Sequence, residues 1–165
     1  MKLMIYLDAQ RLDLVDDAGR VVKSYPVSTA ANGAGEVRGS YQTPRGRHYV
    51  RAKIGAGAPL SAVFVARRPT GEVCDAASYQ AKPDRDWILT RILWLCGREP
   101  GKNRLGRVDT FARYIYLHGT PDAVDVGVPG SHGCVRMRNT DIVELFDTVP
   151  AGTEVEIVEH EHPAA

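Results

Sequence analysis

Short runs of alternating apolar and polar residues, each cut off by glycine or proline, constrain this chain more than any other feature. Leu12 and Leu14 alternate with Arg11 and Asp13, and Arg113–His118 (RYIYLH) alternates in the same way. A strand sends successive side chains to opposite faces, so this pattern suits a half-buried sheet. Lys2–Asp8, Arg11–Asp16, Arg20–Pro26, Arg47–Ile54 and Glu154–Val158 read as further strands. Asp16-Asp17-Ala18-Gly19 and Thr43-Pro44-Arg45-Gly46 carry turn chemistry between them, and Ala30–Ser40, rich in Gly and Ala, reads as a loop. Two segments follow a helical period instead. Asp86–Cys96 (DWILTRILWLC) has apolar residues at 88, 89, 92, 93 and 96, with Asp86 as N-cap and Gly97 as a stop. Asn139 or Thr140 caps a second helix through Val149, with Ile142, Leu145, Phe146 and Val149 on one stripe and Pro150 ending it. The expectation is a mainly β domain with two short helices over residues 1–158, followed by a frayed tail, 159–165.

Composition narrows the function. Lys and Arg number 21 against 20 Asp and Glu, a net charge of +1, which argues against a nucleic-acid binder. The apolar run Leu3–Leu7 stops at Asp8, short of the roughly 7–15 residues of a secretion-signal core. No stretch approaches the roughly 20 apolar residues that span a bilayer. Cys74, Cys96 and Cys134 form no C-x-x-C pair and are odd in number, which fits reduced thiols. The expected location is therefore the cytoplasm, or the periplasm should the chain be a fragment of an exported protein.

Ser131-His132-Gly133-Cys134-Val135-Arg136-Met137 is the stretch richest in chemistry. A cysteine nucleophile needs a nearby imidazole to take its proton, after which an ion pair stabilises the thiolate. Gly133 lets the backbone approach a substrate, and the Gly133 and Cys134 amides are placed to meet a developing oxyanion. Arg136 adds a fixed positive charge. His118 ends an alternating strand, and Gly119-Thr120 lets the chain turn away there and leaves the ring exposed.

His118-Gly119-Thr120, twelve intervening residues counted from His118, and then Ser-His-Gly-Cys-Val-Arg-Met-x-Asn resemble the L,D-transpeptidase catalytic domain of the YkuD type. Tyr25-Pro26-Val27-Ser28-Thr29 and Thr43-Pro44-Arg45-Gly46 resemble its upstream elements, and Thr140–Ile157 its closing helix and strand; about 55–109 is the stretch to which no element is matched. The resemblance implies a β-sandwich-like fold with the cysteine in a cleft. It makes Cys134 the nucleophile and His118 the general base, held by the backbone carbonyl of Gly119. Gly133 and Cys134 amides would serve the oxyanion, with Ser131 and His132 beside the substrate and Arg136 bracing the loop or meeting a carboxylate. The implied substrate is a peptidoglycan stem tetrapeptide or muropeptide, cut between the L-centre of residue three and the terminal D-Ala, with no metal or organic cofactor. Carbapenem-type acylating inhibitors are expected to label the thiol.

Water as the acyl acceptor makes the chain an L,D-carboxypeptidase of cytoplasmic muropeptide recycling. An amine makes it a transpeptidase forming 3→3 cross-links or exchanging D-amino acids. A non-catalytic muropeptide-binding protein is the reading from another class, and the intact His118 and Cys134 argue against it. Zinc held by His118, His132 and Cys134 fits by ligand type but has no evident fourth ligand. Sortases also place His before Cys, yet their Thr-Leu-x-Thr-Cys element is missing. Arg38, Arg45, Arg47, Arg51 and Lys53 face one acid over 36–53, which reads as a solvated strand face, with attraction of an anionic muropeptide the other reading. His48 reads as structural, and His160 and His162 as solvated.

Overall fold

In the computed structural model the described residues are 1–161, and they run β1 (Lys2–Tyr6), β2 (Arg11–Val15), β3 (Val21–Pro26), β4 (Gly46–Ile54), β5 (Ala62–Val65), β6 (Arg68–Val73), α1 (Ala76–Ala81), β7 (Ile88–Gly97), β8 (Tyr116–Gly119), β9 (Val135–Met137), α2 (Asn139–Thr148) and β10 (Glu154–Val158). The strands join in the order β3-β2-β1-β10-β4-β7-β5-β6, with β8 branching from β7 and β9 pairing with β8. β10 returns parallel to β1, so that Leu3 lies opposite Val155 and Ile5 opposite Ile157. The two-residue period delivers these side chains, with Leu12 and Leu14, to one core, into which α2 sets Ile142, Leu145 and Phe146. Full burial of such a side chain is worth about 1.5–3 kcal/mol. The result is a mainly β, sandwich-like domain.

The segment expected as the first helix is instead the central strand β7. Leu93 and Leu95 face the main core while Ile92 and Trp94 face a second one, so the true period is two. Its pairing with β8 slips between Leu89 and Ile92, and Thr90 there has a φ of 75°. An irregularity of this kind shifts the phase of the apolar pattern, and burial on both faces fills it in. Together they imitate a helical stripe. The other helix, α1, arises where none was expected: Asp75 accepts the Ser78 amide at 2.8 Å, and the Ser78 hydroxyl accepts the Asp75 amide at 2.8 Å.

The basic stretch is largely committed to structure. Lys53 Nζ donates to the Phe146 and Val149 carbonyls (2.6 and 2.8 Å) at the end of α2, and Arg51 lies over the Phe111 ring at 4.2 Å. Arg45 is paired with Glu36 and Glu159. The expected tail begins tied down: the Asp8 amide donates to the Glu159 carbonyl at 3.0 Å, and Glu161 pairs with Arg11. His160 is exposed, 3.7 Å from an Asp8 carboxylate oxygen. The rest of the tail, with His162, lies outside the described residues.

His48 is fully buried between the Gly46 carbonyl and the Thr110 hydroxyl, each 2.9 Å from a ring nitrogen. Burial pulls its pKa from 6.5 down to about 4. Because the folded value is depressed, the unfolded chain binds the proton first as pH falls, so the stability contribution is complete above pH 6.5 and lost towards pH 4. The expected loss is about 3 kcal/mol. Thermal melts between pH 7 and pH 4 should show that slope in the native protein and a shallower one in His48→Gln.

Candidate active site

The alternation that ends in β8 sorts its side chains cleanly. Ile115 and Leu117 enter the core, while Tyr114, Tyr116 and His118 line a cleft of about 300 Å³. β9 lies parallel to β8, with His118 opposite Arg136, and the chain between them brings Ser131–Cys134 to the same cleft. The upstream elements singled out in the sequence hold this loop from behind. The Gly130 and Ser131 amides donate to the Thr29 carbonyl (2.9 and 3.0 Å), and Ser28 and Arg136 exchange backbone bonds of 2.9 and 2.8 Å. Thr43 Oγ1 donates to the Gly133 carbonyl at 2.9 Å and accepts the Ala30 amide at 3.0 Å.

Gly133 has a φ of 131°, and a Cβ there would stand 3.1 Å from Ile115 Cδ1 and 3.2 Å from the Gln42 carbonyl oxygen. The backbone conformation therefore calls for glycine, and the space around it is tight. The Ser131 hydroxyl, expected beside the substrate, is spent inside the loop: it donates to the Cys134 carbonyl at 2.5 Å and accepts the Gly133 amide at 3.1 Å. Of the two amides expected at the oxyanion, the Cys134 amide is thus the better placed. His132 is exposed and meets the Tyr41 ring edge-on at 5.6 Å.

His118 is buried, not exposed as its Gly-Thr flank suggested. Its Nδ1–H donates to the Gly119 carbonyl at 2.6 Å. A carbonyl only accepts, so this bond puts the proton on Nδ1 and leaves the Nε2 lone pair free to act as a base. Gly119 is held in turn by close contact: a Cβ on it would fall 2.3 Å from Asn139 Oδ1 and 2.8 Å from the Leu89 carbonyl oxygen. Asn139 itself is buried, accepts from the Thr90 hydroxyl at 2.5 Å, and donates to the Thr120 carbonyl at 2.9 Å and to Asp122 at 3.1 Å.

Cys134 Sγ is half-buried, accepts the Tyr116 amide at 3.3 Å and donates to the Tyr114 carbonyl at 3.3 Å. Burial pushes its pKa up to about 12, with the Tyr116 amide, Arg136 and Arg113 pulling weakly the other way and Asp86 adding to the rise. Burial also lowers the pKa of His118. Both shifts favour the neutral pair, so the resting site holds a thiol and an imidazole, not the ion pair that the sequence suggested. Two charges would have to leave water to form that pair.

Residues the sequence reading did not single out complete the walls. Tyr114 and Tyr116 were legible in principle, as they share the His118 face of an alternating strand. Asp86, read as a helix cap, borders the Cys134 cleft and, with His132 and Arg136, an adjoining one of about 280 Å³. Arg67, from the turn between β5 and β6, lines the Cys134 cleft as well. Arg113 donates to the Gly35 and Gln42 carbonyls (3.3 and 2.7 Å), pinning the loop that carries Tyr41. Among the described residues no three His, Cys, Asp or Glu side chains gather to hold a metal ion. Cys74 and Cys96 are free thiols elsewhere in the fold.

A family model described as the L,D-transpeptidase catalytic domain matches residues 1–157. The probable L,D-transpeptidase ErfK/SrfK of Escherichia coli (strain K12) is 41% identical over 58 residues, covering 34% of this chain and 19% of that protein. The L,D-transpeptidase of Xylanimonas cellulosilytica DSM 15894 superposes with a TM-score of 0.53 at 24% identity, over 94% of this chain and 59% of that one. L,D-transpeptidase 3 of Mycobacterium tuberculosis, solved with a faropenem-derived adduct, gives 0.55 at 17% identity, over 95% and 59%. The match thus spans about a fifth of the length of that E. coli relative, and the two structural neighbours show the fold alone.

Proposed function

This chain belongs to the L,D-transpeptidase catalytic-domain family, and from that premise we propose that it is a cysteine acyltransferase acting on peptidoglycan stem tetrapeptides, with water as its principal acyl acceptor. The observation that supports this reading is the cleft that both Cys134 and the His118 ring line, with the ring's tautomer set by Gly119.

As Sγ attacks the carbonyl carbon of residue three, its proton passes to His118 Nε2. The carbonyl oxygen becomes an oxyanion that the Cys134 amide is placed to receive. Collapse breaks the C–N bond, His118 returns the proton to the departing nitrogen, and D-alanine leaves. A thioester on Cys134 remains. Water then attacks it, giving its proton to His118, and the tripeptide departs as the sulfur regains a proton. No step in this sequence calls on a metal or an organic cofactor. Water needs no binding site of its own, only access, and the half-buried sulfur on the cleft wall supports that. On this reading the protein trims soluble muropeptides in the cytoplasm. Thiol acylation by carbapenems is part of the same proposal, supported by an L,D-transpeptidase structure solved in complex with imipenem.

The adjoining cleft favours a second reading. It meets the first at Asp86, His132 and Arg136, and has room for an amine acceptor, which would give a 3→3 cross-link or exchange. Incubation with a tetrapeptide muropeptide, followed by mass analysis, separates the two. Tripeptide and free D-alanine are the expected products, absent with Cys134→Ala. A 3→3 dimer as the main product overturns water as acceptor, and a native Cys134 that neither turns over substrate nor reacts with a carbapenem overturns the enzyme reading in favour of a binding protein.

A further inference from the structure

A half-buried cation with no carboxylate on it lines the Cys134 cleft. The Arg113 guanidinium donates to the Gly35 carbonyl at 3.3 Å, the Ser40 hydroxyl at 3.3 Å and the Gln42 carbonyl at 2.7 Å. Among the described residues it forms no ion pair, and Glu36, the carboxylate that attracts it, is itself paired with Arg45. A neutral amide could serve the shortest of these bonds. A cation held partly out of water is far less favourable there, and burial lowers the Arg113 pKa. Pinning a loop does not account for the charge.

Two routes lead from Arg113 to the sulfur. The first runs through the Gln42 carbonyl oxygen, which takes the Nη2 bond and is also the atom against which Gly133 packs: a Cβ on Gly133 would stand 3.2 Å from it. Thr43, the next residue, donates to the Gly133 carbonyl at 2.9 Å. One peptide unit thus connects the guanidinium to the loop that presents the Cys134 amide. The second route is the chain itself. Tyr114 follows Arg113, and its carbonyl accepts from Cys134 Sγ at 3.3 Å. Tyr114 has a φ of 58°, and Tyr41, between the Ser40 and Gln42 groups that Arg113 holds, has a φ of 55°. Bulky residues keep such backbone only where the surroundings over-determine it. Arg113 is common to both: it precedes one tyrosine in the chain and bonds to either side of the other.

We infer that Arg113 is a positioning residue for the nucleophile: its guanidinium locks together the two segments that meet at the Cys134 sulfur, and its unpaired charge favours the negative charge that develops there. Its part in turnover rests on the proposed reaction; its effect on the thiol does not. The resting pair is neutral, so the sulfur becomes negative only as its proton leaves. A cation already desolvated and fixed by three acceptors needs no rearrangement at that moment. Arg67, Arg136 and Asp86 are the other charged groups lining this cleft, and His118, His132, Tyr114 and Tyr116 its further ionisable ones. All of them are retained when residue 113 alone is changed.

The test compares Arg113→Met, Arg113→Gln and Arg113→Lys with the native protein in two measurements: D-alanine release from a tetrapeptide muropeptide, and the rate at which iodoacetamide alkylates Cys134 across pH. Arg113→Met is expected to lower kcat about 100-fold with KM little changed, the cost of displacing a reacting group by about 1 Å. Its alkylation at pH 9 should be about 3- to 10-fold slower than the native rate, because the thiolate loses a neighbouring cation. Arg113→Gln keeps a donor for the Gln42 carbonyl without the charge, so it should alkylate as slowly while recovering part of kcat. Arg113→Lys keeps the charge without the fork, and should alkylate near the native rate. A purely structural pin leaves alkylation at the native rate in every variant that folds, and that result overturns the inference, as does a native kcat in Arg113→Met. Should Arg113→Met fail to fold, the other two decide: equal alkylation rates in Arg113→Gln and Arg113→Lys overturn the role of the charge. Absence of D-alanine release from the native protein overturns the proposed reaction, whereas native turnover with alkylation unchanged in the variants overturns Arg113 alone.

Discussion

Cys134→Ala is expected to abolish D-alanine release, and His118→Gln to lower it by about 10²–10⁴-fold, the usual worth of a general base, with both variants melting close to the native protein. On the proposed mechanism the Cys134 sulfur forms the thioester, so its removal leaves the reaction without its nucleophile. The His118 effect rests on the bond from Nδ1 to the Gly119 carbonyl, which leaves Nε2 as the basic nitrogen. The pH profile adds a sharper check. Burial lowers the pKa of His118, so its ring stays neutral further into acid than an ordinary histidine with a pKa near 6.5. The acid limb of kcat/KM should therefore lie below that value. Burial also pushes Cys134 up to about 12, so iodoacetamide should alkylate it slowly at pH 7, with a rate still climbing beyond pH 9. Rapid alkylation at pH 6 would mean a preformed thiolate and overturn the neutral-pair mechanism.

The second large effect is expected at a residue that touches no substrate. Asn139→Leu should cost about 3 kcal/mol, or roughly 10 °C in Tm, because it strands buried polar groups. The Thr90 hydroxyl loses its acceptor and the Thr120 carbonyl its donor, both inside the protein. On the proposed mechanism Asn139 also positions the base. Its Oδ1 presses on Gly119, and its amide holds the next carbonyl along, so the backbone that aims His118 is clamped from one side. The expected signature is a fall in kcat of about tenfold, the cost of a modest misplacement of a catalytic group, with KM little changed. Asn139→Asp separates the parts. It keeps an acceptor for Thr90 but loses the donor to Thr120 and sets a second carboxylate near Asp122. It should recover part of the stability only at pH values low enough to protonate the pair. Normal kcat in a stably folded Asn139→Leu would remove the positioning role.

The alternating segments are legible because their aliphatic residues recur at every second position whatever covers the other face. Glu154–Val158 buries one face, whereas Arg11–Val15 and Arg113–His118 send Leu12 and Leu14, or Ile115 and Leu117, to the main core and have Asp13, or Tyr116 and His118, buried on the other side; α2 keeps its stripe against the same core. β7 was misread because a central strand with an irregularity at Thr90 has no solvent face to mark its period. The exposure of His118 was misjudged for a related reason. A Gly-Thr flank describes how the backbone turns, and says nothing of Asn139, Thr90 and Leu89 closing over it.

By itself, the sequence singled out a cysteine and a histidine and the glycine and serine that shape the loop beside them. The demands of Gly133 and Ser131 on that loop are short-range ones of backbone geometry and hydrogen bonding, which residue order encodes directly. Only the tertiary structure decided which charges surround the sulfur. Arg67 and Asp86 come from a part of the chain with no motif, and their meeting at Cys134 follows from a sheet that branches at β7. It decided the protonation of the pair as well, since desolvation is a property of everything packed around a group and not of its neighbours in sequence.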